Sequence, residues 1–227
     1  MTRTLIVAAF ISFVVAQQPN PNQPPPTGGT QKPPQPPKKK TMEEALKDKK
    51  EIPGFLTLYQ DTTNGKLFML VKKDQLNKEY IHFVHGLNGQ INAGVFKGSY
   101  GGARVIKLNR YFNRVEFEVQ NNSMYFDPEN PLHRSAGANV SSAILAASYI
   151  VAEKDGEVLI GVDNVFLSEA LYQITRGFVP GGQNKNPFKI GRLAKERTKY
   201  LSLNNYPENT DLIVQYVYSN PTPTNWG

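Results

Sequence analysis

The stretch Arg104–Gln120, RVIKLNRYFNRVEFEVQ, decides the fold. In its second half Val115, Phe117 and Val119 fall on one parity and Glu116 and Glu118 on the other. Side chains of a strand point to opposite faces in turn, so this alternation predicts a strand with one buried and one solvated face. Tyr111-Phe112-Asn113 separates it from a similar run over Arg104–Arg110, and together the two predict an antiparallel hairpin. The period of two recurs outward in both directions. Phe55–Tyr59 and Leu67–Val71 flank a turn carrying Asn64-Gly65, and Ala143–Ala152 and Glu157–Val162 flank Asp155-Gly156. Glu79–His85 reads as a further strand, and Lys199–Leu203 with Asp211–Tyr218 as a last pair around Tyr206-Pro207-Glu208-Asn209. The glycines from Gly98 to Gly102 predict a bulge or tight bend.

Two short helices complete the pattern. Thr41 as N-cap with Glu44 three residues on forms a capping box, which predicts a helix over 41–50. Lys47, Lys49 and Lys50 would then complement its C-terminal dipole before Pro53-Gly54 ends it. Phe166–Ile174 has helical spacing. Hairpins with few helices give an α+β, β-rich fold class, built as antiparallel sheets.

The chain has 227 residues, no cysteine, three histidines and a formal charge of +7. Residues 1–50 supply +5 of that charge, and nine of the 17 prolines lie between Pro19 and Pro37. Arg3, the apolar run Leu5–Val15 and the small residues Val14 and Ala16 predict an export signal over residues 1–16. That run falls short of the roughly 20 residues a spanning helix needs, so no stable membrane anchor is expected. Residues 17–40 are rich in Pro, Gln and Asn and predict a disordered spacer with polyproline II character. Beyond the spacer, residues 41–90 read as a small helix-plus-hairpin domain and 91–227 as a β-rich domain. Localisation is expected to be periplasmic or extracellular.

Without cysteine, disulfides, thiolate metal sites and cysteine nucleophiles are excluded. Glu79, His82 and His85 are the best-looking metal candidates, but a strand sends Glu79 and His85 one way and His82 the other. A zinc hydrolase would therefore need His82, His85 and His133 brought together from distant parts of the chain. The sequence has no His-Glu-x-x-His, Gly-x-Ser-x-Gly or phosphate-loop motif. Asp127-Pro128-Glu129-Asn130-Pro131 reads as a turn before it reads as a calcium site. Asp163, Glu169, Glu196 and Glu208 have no spacing that argues for an acid–base pair. Asn121-Asn122-Ser123 and Asn139-Val140-Ser141 fit the glycosylation pattern. Glu116 and Glu118 offset Arg104, Lys107, Arg110 and Arg114, so nucleic acid is not an expected partner. Catalytic, metal and cofactor residues are therefore expected to be none.

Several motifs resemble, in order, the N-terminal region of a bacterial family of zinc-dependent, metzincin-like metalloproteases. They are Ile52-Pro53-Gly54-Phe55 with Tyr59-Gln60-Asp61-Thr62 and Asn64-Gly65-Lys66-Leu67, then Ala93–Tyr100, Tyr125–Leu132, Phe166–Leu171 and Asn205–Asp211. The likeness covers about residues 41–220. It implies two adjoining noncatalytic domains that precede a catalytic portion carrying the zinc motif. No residue through Gly227 matches that motif, so no catalytic residue is carried over. The resemblance implies an exported, noncatalytic module that packs against or assists a protease domain. A stand-alone binding module for peptide or glycan is the alternative.

Overall fold

The computed structural model describes residues 39–89, 93–121, 127, 129–130, 142–174 and 190–220. The expected signal, nearly all of the spacer, His133 and Asn139-Val140-Ser141 lie outside the described residues. Among the described residues no helix is long and apolar enough to cross a membrane.

Among the described residues the fold is β-rich and antiparallel, with two short helices. Eight strands form one sheet: β1 (Lys49–Ile52), β2 (Thr57–Asp61), β3 (Leu67–Val71), β4 (Glu79–His85), β5 (Tyr100–Tyr111), β6 (Arg114–Val119), β7 (Ala143–Lys154) and β8 (Glu157–Gly161). Their spatial order is β1-β2-β3-β8-β7-β6-β5-β4. After β3 the chain therefore crosses to the far edge, lays down β4, and meanders back until β8 pairs with β3. The sheet runs across residue 90, where the sequence suggested a domain boundary, because β4 precedes that residue and β5 pairs with it from the other side. The described residues also hold two small sheets: β10 (Lys199–Asn205) with β11 (Thr210–Gln215), and β9 (Arg192–Leu193) with β12 (Tyr218–Ser219).

Alternation sorts the residues of the large sheet onto two faces. Leu58, Met69, Ile160 and Ile150 meet across β2, β3, β8 and β7, and join Leu108, Val115 and Phe117 in the main core. Tyr200, Leu203 and Leu212 of the β10–β11 hairpin pack against this inner face. On the outer face, Leu70, Leu159 and Ala152 are covered by α1 (Met42–Leu46) through Met42 and Ala45. Among the described residues, α1 covers only the β2-β3-β8-β7 end of that face.

Both helices differ from expectation. The capping box at Thr41 and Glu44 is present, but α1 stops at Leu46. Lys47 turns extended, Asp48 takes φ 61°, and Lys49 and Lys50 enter β1 rather than capping the helix. Pairing with β2, reinforced by a Lys49–Asp61 ion pair at 3.4 Å, outweighs the dipole argument in so short a helix. The helical spacing over Phe166–Ile174 yields only α2 (Asp163–Phe166), which ends where the spacing begins. The Ser168 hydroxyl donates to the Asn164 carbonyl at 2.7 Å and accepts from the Ala170 N–H at 3.2 Å, giving the backbone a non-helical alternative. The expected strand Asp211–Tyr218 is interrupted at Tyr216-Val217, so that Tyr218 pairs with β9.

Candidate interaction face

β4 shows the alternation anticipated for it: Glu79, Ile81, Phe83 and His85 are exposed, and Tyr80, His82 and Val84 are half-buried on the inner face. The strand thus separates His82 from Glu79 and His85. Among the described residues no group of three or more His, Asp or Glu side chains is placed to hold a metal ion. Burial, with the Arg104 guanidinium directly across the strand pair, holds the His82 imidazole below its ordinary value. Asp127 and Glu129 form the anticipated turn, with the Glu129 N–H donating to the Asp127 carboxylate at 3.0 Å.

Among the described residues, the part of the outer face that α1 leaves uncovered is built by β4, β5, β6 and the first half of β7. Its centre is a ladder of paired charges. Lys107 contacts Glu79 at 3.2 Å, Asn109 and Gln120 donate to Glu118, and Arg114 contacts Glu116 at 2.5 Å. Off the ladder, at the tip of the β5–β6 hairpin and on the parity of Leu108 and Val115, Arg110 grips Glu153 through both terminal nitrogens, at 2.6 and 3.0 Å, beside Lys39. Hydrogen bonds from Ser142, Gln120 and Asn109 hold the Glu118 carboxyl below the usual carboxylate range.

Apolar groups flank this ladder. Ile81 is 79% exposed, Phe83 54% and Tyr100 62%, while Ile144 and Tyr149 stand exposed on β7. Phe83 meets His85 edge-on at 4.5 Å between centroids and Tyr100 at 5.4 Å, which forms an aromatic cluster at the end of β4. The glycine run makes this possible. Val84 pairs with Gly102 and His85 with Tyr100, so Gly101 is left over as a bulge, next to Gly102 at φ 107°. A side chain at Gly101 would press on Val84 and Tyr172. The sequence identified the bulge but not the exposed patch. Its signal was apolar residues on both parities of Glu79–His85, which marks a strand whose outer face is not wholly polar.

Two of the carboxylates that looked scattered, Asp163 and Glu169, serve a structural seam, whereas Glu196 only pairs with its neighbour Arg197. Asp163 accepts the Tyr200 hydroxyl at 2.9 Å and the Leu67 N–H at 3.0 Å, tying β10 and β3 to the start of α2. Glu169 accepts the Tyr218 hydroxyl at 2.9 Å, and Tyr216 donates to the Ser168 carbonyl at 3.1 Å. Burial, then the Asp163 carboxylate, raises the Tyr200 phenol far above its usual value; burial and Glu169 do the same for Tyr218. Tyr216 is pushed up to about 12, again by burial first and Glu169 second. Phenols raised in the folded state contribute stability that is complete below their unfolded value near 10 and is lost as pH climbs toward the folded values. Urea midpoints are therefore expected to hold from pH 8 to about pH 10 and then drop. The Tyr216 share of that loss is about 2 kcal/mol by pH 12. Tyr216→Phe should flatten the alkaline limb, and an unchanged limb would refute this assignment.

A second seam joins two stretches of the protease resemblance. Asn205 donates to the carbonyls of Ile52 at 2.8 Å and Leu56 at 2.5 Å, and accepts the Thr210 hydroxyl at 2.6 Å. Gly54 lies against the Asn205 carboxamide so closely that any Cβ would overlap it. Phe55 N–H donates to the Tyr206 carbonyl at 2.6 Å. Ile52-Pro53-Gly54-Phe55 and Asn205–Thr210 are thus one structural unit. No protein-family model, no curated protein and no solved structure matches this chain.

Proposed function

We propose that this chain is a noncatalytic module of an exported, zinc-metalloprotease-like protein, and that it packs against a protease domain through the outer face of its large sheet. The observation that carries the proposal is that face: Ile81, Phe83, Tyr100, Ile144 and Tyr149 stand exposed around a ladder of internally satisfied charges. A protein partner would cover the exposed apolar groups, and because the charges beside them are already paired within the sheet, covering them strands none. The motif resemblance names the partner. Its Gly54 and Asn205 stretches are spent on holding the hairpin β10–β11 to the sheet, which suits a module whose task is to be rigid. The Phe83–His85–Tyr100 cluster favours a second reading, a binding module for peptide or glycan, because flat aromatic faces stack on both.

Sequencing beyond codon 227 and expressing the frame found there tests the proposal. A frame with a metzincin-like zinc motif is expected, and its product should co-elute with this chain at the summed mass. Absence of such a frame nearby, or two separate peaks, would count against it.

A further inference from the structure

We propose that two copies of this chain join edge to edge through β4, antiparallel about a two-fold axis at His82, so that the large sheet of one copy continues into the other. Among the described residues, β4 is a terminal strand paired only with β5. The Val105 carbonyl accepts from Gln120 on the β6 side and the Leu108 carbonyl accepts from Asn77 on the β4 side. Backbone groups alternate sides along a strand, so Ile106 turns toward Tyr80. The N–H and C=O groups of Glu79, Ile81, Phe83 and His85 are thereby left on the outward edge.

The sequence of that edge is complementary to its own reverse. Antiparallel pairing centred on His82 sets Ile81 against the other copy's Phe83, Tyr80 against Val84, and Glu79 against His85. The two most exposed apolar groups of the strand then cover one another, and an acidic group faces a basic one in each half. Moving the axis to Ile81 would set Glu79 against Phe83, and moving it to Phe83 would set Ile81 against His85. The His82 axis is therefore the register that matches apolar with apolar and acid with base, and such an interface closes on itself. The two ends of the sheet contrast in the same sense. β1 carries Lys49 and Lys50, the sort of charge that blocks edge pairing, whereas β4 carries neither Lys nor Pro.

The absence of cysteine makes the test clean. Across the axis, His82 and its copy form a non-hydrogen-bonded pair with Cα atoms about 4.5 Å apart, within disulfide range. His82→Cys is expected to give a covalent dimer under mild oxidation, at least about tenfold faster than Ile81→Cys or Val84→Cys, which the register holds apart from their own copies. Sedimentation of the unmodified chain should show concentration-dependent dimerisation. Glu79→Lys should weaken it about tenfold and Glu79→Lys with His85→Glu should restore it, because the charges still oppose. Equal cross-linking at all three positions, a monomer at every concentration, or no rescue by the paired exchange would overturn the proposal. The measurements use this chain alone, so their failure leaves the protease partnership standing, and failure of that partnership leaves the dimer standing.

Discussion

Asn205→Ala is expected to lower the unfolding free energy by about 3 kcal/mol, read as a shift of the urea midpoint at unchanged slope. The truncation removes a carboxamide that satisfies the Ile52 and Leu56 carbonyls and the Thr210 hydroxyl together. Each half-buried polar group so orphaned costs of the order of 1 kcal/mol or more, and nothing replaces the amide. The same seam predicts a non-additive partner. Gly54→Ala collides with that carboxamide, so it should be costly in the native background. With Asn205 already cut back to alanine, the collision is gone. The double variant should then lie close to Asn205→Ala alone, well short of the sum of the two. Additivity would show that Gly54 and Asn205 do not oppose one another.

Ile160→Ala is expected to cost about 3–4 kcal/mol. The side chain is fully buried on central strand β8, between Met69 of β3 and Ile150 of β7. Truncation leaves a cavity that rigid neighbours on both flanking strands cannot fill, and the β10–β11 hairpin closes the site from the inner side. Ile144→Ala removes the same atoms from the outer face and should change stability by no more than about 0.5 kcal/mol. Comparable losses at the two positions would mean that the inner and outer faces are wrongly assigned.

The hairpins were legible because their determinants are local. Asn64-Gly65, Phe112-Asn113 and Asp155-Gly156 mark turns, and the alternation in Val115–Val119 sets which face meets the core, although Glu116 on the other parity is buried as well, paired with Arg114. Sheet order was not legible, since the crossing from β3 to β4 and the return of β8 to β3 depend on contacts about 90 residues apart. Lys49 and Lys50 misled in the same way: the dipole preference is local, but the strand pairing that overrides it reaches across to Asp61. At β4 the opposition of His82 to Glu79 and His85 followed from parity alone. Which parity faces solvent did not, because Tyr80, Ile81, Phe83 and Val84 place apolar groups on both sides. Asn205 entered only as the first residue of the Asn205–Asp211 motif, with nothing to mark its structural role. An asparagine before a Tyr-Pro turn is unremarkable until the chain brings Ile52 and Leu56 to it.

The central claim, docking of a protease domain on the outer face, is tested most directly by titration calorimetry. The chain would be titrated with the product of the zinc-protease frame that the proposal expects, alongside an Ile144→Glu, Tyr149→Glu variant of unchanged fold. Burying a carboxylate in an apolar contact without a partner is costly, so the account predicts binding by the native chain and at least about tenfold weaker binding by the variant. No binding by the native chain, or equal binding by both, would contradict it.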